Sequence, residues 1–132
     1  MPLVQCRVKT DGKFTDKFKV TFDTLCFLVN QSAIEKGFWE NYATAKTSVQ
    51  ECAVKAALIH GEVSEFVEAI RLPTPQPDKH LPHRLNLEVE LADIIIRTMD
   101  LAQALNIESL AEIILEKINF NKTREPKHGK VI

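Results

Sequence analysis

The sequence predicts an all-α fold, a four-helix bundle, and three observations carry that prediction. In four separate stretches between Leu25 and Ile118 apolar residues recur every three or four positions, the period of helices that bury one side. Ser48 stands three residues before Glu51, and Ser109 three before Glu112, the spacing at which a hydroxyl and a carboxylate satisfy the free N–H groups of a helix start. Pro73, Pro75, Pro77 and Pro82 crowd one short stretch, where no helix can continue and the chain must reverse.

With 132 residues, 45% hydrophobic and 27% charged, the chain has the size and composition of one globular domain. A formal net charge of −1 gives no general attraction to a nucleic acid polymer or an anionic membrane, so any anion site must come from local basic clusters. Cys6, Cys26 and Cys52 are odd in number and lack metal-ligand spacing, which predicts reduced thiols in a cytoplasmic protein. There is no charged-then-apolar leader, and no apolar run approaches the roughly 20 residues of a membrane span. The expectation is a soluble protein without a membrane partner.

Along the chain, Val4, Cys6 and Val8, then Phe18, Val20 and Phe22, alternate on either side of Asp11-Gly12. That period predicts a short β-hairpin, or an extended arm, over residues 1–22. Asp23 is placed to cap a first helix ending at Lys36, with Gly37 as its stop. The second helix starts after Ser48 and ends at Leu72, before Pro73, with Ala56, Ile59, Val63, Phe66 and Ile70 as its core stripe. A polar, proline-rich loop carries Asp78, Lys79, His80 and His83. The third helix runs from Asn86 to Leu105 on Leu87, Leu91, Ile94, Leu101 and Leu105, with Asn106 as its C-terminal residue. The fourth follows Ser109, with Leu110, Ile113, Ile114 and Ile118 facing inward. The predicted organisation is thus an arm over 1–22, a helical domain over 23–122 and a basic tail over 123–132.

Two carboxylate pairs stand out, Glu62 with Glu65 and Glu90 with Asp93, each three residues apart. On helices, each pair shares a face. Glu62 lies about 40° round from Phe66, as Glu90 does from Ile94, so both pairs border an apolar seam. Acids at a packing edge are partly desolvated, and four that converge repel unless cations sit between them; all-oxygen ligation suits Mg²⁺, with Mn²⁺ as a substitute. The bland reading is a pair of solvated helix faces, as Glu68, Glu88, Asp100 and Glu112 are expected to be. A second constellation, Lys117, Asn121, Lys122, Arg124, Lys127, His128 and Lys130, suits phosphate oxygens, or is a solvated basic terminus. His60, His80 and His83 are read as structural or loop residues. Trp39 is read as stacking on a base, packing in the core or making a subunit contact. Glu125 and His128 flank Pro126, which excludes the helical Glu-x-x-His of ferritin-like bundles.

The run Ala57-Leu58-Ile59-His60-Gly61-Glu62-Val63-Ser64-Glu65, continued by Glu68-Ala69-Ile70-Arg71, His80-Leu81-Pro82 and Glu88-Val89-Glu90-Leu91-Ala92-Asp93, resembles the MazG-like all-α nucleoside triphosphate pyrophosphohydrolases. Glu35-Lys36-Gly37-Phe38-Trp39 and Asn121-x-x-Arg124-x-x-x-His128-Gly129-Lys130 are similar to a subgroup of small stand-alone members, some carried by phages. The likeness departs from the family pattern at Gly61 and at Glu125, which separates Arg124 from Pro126. It implies cleavage of a (d)NTP between the α and β phosphates to the monophosphate and pyrophosphate. Glu62, Glu65, Glu90 and Asp93 would be Mg²⁺ ligands, with Glu62 or Glu65 also orienting the attacking water. Lys117, Asn121, Arg124 and Lys130 would bind phosphate, and Trp39 would contact the base. The resemblance also implies a homo-dimer or homo-tetramer, and a cytoplasmic location, that of the host if a phage encodes the chain. A narrower reading is specificity for a purine deoxynucleotide such as dGTP. The alternative from another class is a non-catalytic helical dimerisation module that senses a metal or nucleotide.

Overall fold

The computed structural model describes residues 12–125 of the chain. Five helices order it: α1 Gly12–Glu35, α2 Tyr42–Ala45, α3 Val49–Arg71, α4 Asn86–Ala104 and α5 Leu110–Lys122. Among the described residues there is no strand, only an isolated bridge between Pro77 and Leu85. The fold is all-α. The described residues divide into two compact units, one holding residues 25–108 and the other pairing residues 12–24 with residues 109–125.

The expected hairpin or arm is overturned where it can be followed: residues 12–22 are the first turns of α1, while residues 1–11 lie outside the described residues. Phe18 and Phe22 stack on each other at 5.4 Å between ring centroids, one helical turn apart. A spacing of four satisfies both a strand period of two and a helix period of 3.6, so only Val20 separates the two readings, and Val20 is exposed. Asp23 therefore does not cap α1. It stands mid-helix, where its carboxylate accepts from the Ser109 hydroxyl (2.6 Å) and the Ala111 N–H (3.2 Å). It serves the start of α5, whose own N-cap, Ser109, accepts from the Glu112 N–H (3.1 Å). Lys19 and Glu112 form an ion pair in the same unit at 3.0 Å.

The predicted stops and starts of the other helices hold. Gly37, at φ 76°, ends α1 with Gly37 N–H bonded to Ile34 O and Phe38 N–H to Ala33 O, each at 3.0 Å, the double bond of a left-handed C-terminal cap. Asn106, at φ 55°, ends α4 the same way through Gln103 O and Ala102 O. Ser48 caps α3, and Leu72 leaves it in an extended conformation just before Pro73. The buried face of α3 is rotated from the predicted stripe. Glu62 and Ala69 are buried, whereas Val63 and Ile70 are exposed. On α5 likewise Ala111 is buried, while Ile113 and Ile118, expected to face inward, are exposed.

Helices α3 and α4 pack against each other as an antiparallel hairpin. The connecting loop is pinned across its base, with Asn86 N–H to Gln76 O and Asp78 N–H to Arg84 O, both at 2.8 Å. Its tip is folded around Asp78, whose Oδ1 accepts from the N–H groups of His80 (2.8 Å) and Leu81 (2.7 Å). Beside the hairpin, Trp39, Ala45 and Ala104 form a small core with Ala33, Ile34, Tyr42 and Leu101. Above this core runs a polar network: Asn30 donates to Asp100 Oδ1 (2.7 Å), Tyr42 donates to Asn30 Oδ1 (3.0 Å), and the Trp39 indole N–H is shared between the Asp100 oxygens (3.0 and 2.9 Å).

Candidate metal centre

Because α3 and α4 run antiparallel, residues early in α4 face residues late in α3. That brings Glu62, Glu65 and Glu90 together, with one carboxylate oxygen of each within 4.8 Å of the others. Glu62 and Glu90 are 8% and 7% exposed, and Glu65 is open to solvent. Asp93, one turn on from Glu90, is half-buried and stands on the wall of an adjoining cleft with Glu62 and Arg97. The two predicted acid pairs thus meet, three of the four in one cluster and the fourth beside it.

The electrostatics express the crowding. Burial pushes the Glu90 carboxyl above the usual carboxylate range, and Glu65, Glu62, Asp93 and Asp78 push it the same way. Asp93 is raised by burial and by Glu62, against the opposing pull of Arg97. Hydrogen bonds from the backbone of Leu81 and His80 hold Asp78 low. Carboxylate oxygens this close, two of them on buried residues, are a group that could hold a metal ion.

Three further residues belong here that the acid spacing did not single out. Arg97 is ion-paired through Nε with Glu62 Oε1; its signal in the sequence is a lone base one turn after Asp93, behind Ile94-Ile95-Ile96. Asn86, with its amide nitrogen turned toward them, donates to Asp78 Oδ2 (3.1 Å) and Glu90 Oε1 (3.2 Å). Asp78, buried in the loop, is thereby tied to the cluster. Neither Asn86 nor Asp78 has a periodic signal.

The cleft beside the cluster has a volume of about 260 Å³. Glu62, Asp93, Arg97, Lys55 and Asp100 line it together with the apolar Val29, Phe38, Leu58 and Ile96. Trp39 takes the core role rather than an open stacking position: it is 4% exposed, bonded to Asp100, and Lys55 Nζ stands 4.6 Å over its ring. Lys117, Asn121 and Arg124 belong to the other compact unit, where Lys117 Nζ and Arg124 flank the Phe120 ring at 4.7 and 5.9 Å. Lys130 lies outside the described residues. No helix among the described residues is long and apolar enough to cross a membrane. No family model, curated protein or solved structure matches the chain.

Proposed function

We propose that the chain is a Mg²⁺-dependent nucleoside triphosphate pyrophosphohydrolase of the MazG-like kind, releasing a monophosphate and pyrophosphate. The observation that carries the reading is the convergence of Glu62, Glu65 and Glu90 from two helices, within 4.8 Å. Glu62, Glu65, Glu90 and Asp93 hold the cation. A divalent cation held by them would supply charge neutralisation for the phosphates and for the attacking water. Glu62 or Glu65 would orient the attacking water, and the exposure of Glu65 outside the Arg97 ion pair supports Glu65 in that role. Arg97, between Asp93 and Asp100 on the cleft wall, exchanges Glu62 for phosphate oxygen when substrate arrives, since guanidinium binds both anions by forked hydrogen bonds. Lys117, Asn121, Arg124 and Lys130 are further phosphate ligands by resemblance.

The test is product analysis with each common NTP and dNTP in Mg²⁺, separating nucleotides and assaying pyrophosphate against orthophosphate. Monophosphate with pyrophosphate is expected. Diphosphate with orthophosphate would exclude this cleavage. Glu65→Ala and Asp93→Ala are expected to lower turnover by at least about 100-fold, because loss of a direct ligand should cost no less than loss of its outer support. Circular dichroism should stay helical in both.

One observation favours a second reading. Glu62 is already neutralised by Arg97, as in a purely structural ion pair on a helical interaction module. Under that reading Mg²⁺ or Mn²⁺ raises the melting temperature by mass action at most, and no nucleotide is turned over.

A further inference from the structure

We infer that Asn86 is a positioning residue for Glu90, and that Asp78 acts on Glu90 through it: a fixed carboxylate in the loop aims an amide, and the amide aims a metal ligand. The inference rests on the reading of the acidic cluster as a divalent cation site, and it names what holds one of the ligands in place.

From Arg71 to Leu85 every residue is exposed except Asp78. A loop that buries only its carboxylate loses free energy unless each oxygen finds donors. The two oxygens of Asp78 have separate partners. Oδ1 accepts from the N–H groups of His80 and Leu81 at 2.8 and 2.7 Å, a local turn that an aspartate makes without any further purpose. Oδ2 accepts from the side-chain amide of Asn86 at 3.1 Å, across the loop. No local turn requires that second bond. The backbones of both residues are set as well, since Asp78 N–H reaches Arg84 O and Asn86 N–H reaches Gln76 O, each at 2.8 Å.

Asn86 opens α4, and Glu90 stands four residues on, on the same helical face. The amide nitrogen has two N–H donors. One goes to Asp78 Oδ2 and the other to Glu90 Oε1 at 3.2 Å. With a carboxylate on either side, the amide oxygen has nothing to accept from there, so the orientation of Asn86 is determined. Asp78 is the fixed end of this chain, because two backbone groups hold its Oδ1. Glu90 is the end that needs holding, because Glu65, Glu62 and Asp93 all repel it. A donor on Oε1 resists that repulsion and takes one of about four acceptor sites on the carboxylate, leaving the others for a cation. Outer partners of this kind are worth about 10–100-fold in metal affinity.

The experiment measures Mn²⁺ binding to the full-length protein without nucleotide, from the electron paramagnetic resonance signal of free Mn²⁺. Asn86→Ala is expected to raise the Kd by about 10–100-fold. Asp78→Asn keeps an oxygen for the His80 and Leu81 N–H groups but puts a donor where Oδ2 accepted, and it too should raise the Kd. The double variant should bind no more weakly than Asn86→Ala alone, because one residue acts through the other. Asn86→Asp separates positioning from charge. It adds a carboxylate beside Glu90, which would tighten binding if net charge set the affinity, and it is expected to weaken binding because both donors are lost. Helical circular dichroism in EDTA checks that each variant folds, and Asp78→Asn, which keeps the turn, carries the test if Asn86→Ala does not fold. Wild-type Kd in Asn86→Ala or Asp78→Asn, additive losses in the double variant, or tighter binding in Asn86→Asp would each overturn the inference, while pyrophosphate release by the wild type would still uphold the catalytic reading. No Mn²⁺ binding by the wild type would overturn both. The expected pattern of Mn²⁺ affinities without pyrophosphate from any nucleotide would uphold the inference and remove the catalytic reading.

Discussion

Glu90 shows what one residue contributes at this site. It is buried, it accepts from Asn86, and four other carboxylates raise it. A carboxyl raised on folding binds its proton more tightly folded than unfolded. Its stabilising effect is therefore complete below the ordinary carboxylate range and is lost as pH climbs through the raised value. Asp93 has the same sign. Asp78, lowered by backbone N–H groups, has the opposite one: its contribution exists above the ordinary range and disappears as pH falls through the lowered value. In EDTA, the melting temperature is expected to fall as pH rises from the ordinary carboxylate range through the raised Glu90 and Asp93 values. Glu90→Gln should flatten that fall and melt a few degrees higher at neutral pH and, on the proposed reading, lose turnover. Mg²⁺ should flatten it in the wild type, since a cation takes up the repulsion. Calorimetry across pH, with and without metal, checks all of this; the same slope in Glu90→Gln would show that Glu90 is not repelled.

At the scale of an element, α1 and α3 differ in how they are held. The α5 start depends on a side chain from mid-α1, because the Asp23 carboxylate takes the Ala111 N–H. Asp23→Ala should therefore cost about 1 kcal/mol, the usual worth of a cap, seen as a lower denaturation midpoint; an unchanged midpoint would mean that water replaces the carboxylate without loss. Helix α3 carries a weak point of its own, Gly61, where a Cβ would meet no atom within 4 Å. Gly61→Ala is expected to stabilise by about 0.5–1 kcal/mol through reduced backbone freedom in the unfolded chain, read as a higher denaturation midpoint. The ends of α3 and α5 and the stops of α1 and α4 were legible because caps, glycine and proline act within a few residues. The start of α1 was not, since Phe18 and Phe22 fit two periods equally well. Nor was the buried face of α3, because the apolar residues Val63 and Ile70 look inward by composition, and only packing against α4 shows that Glu62 occupies that side.

On the scale of the whole molecule, large apolar side chains remain open to solvent on both helices of the hairpin, among them Val54, Val63, Val67 and Ile70 on α3 and Leu91 and Ile95 on α4. Exposed apolar groups in such number mark an interaction surface, and their occupant on the proposed reading is a second copy of the chain. Sedimentation is expected to give a homo-dimer or homo-tetramer, and Val67→Asp with Ile95→Asp to shift the mass toward one chain, because a buried unpaired carboxylate is costly. A monomeric wild type would refute this.

The sequence by itself determined that the chain is helical, where most helices begin and end, and that two acid pairs share helical faces, since each of these depends on interactions within a turn or two of the backbone. Tertiary structure alone decided which acids meet. The antiparallel pairing of α3 and α4 set Glu62 and Glu65 against Glu90, placed Arg97 on Glu62, and drew Asp78 in from the loop through Asn86. It also buried Trp39 and left Phe38 exposed on the cleft wall. Neighbouring residues have the same local propensities, but only one of them can fill the space beside the polar network of Asn30 and Asp100, and the other is left exposed.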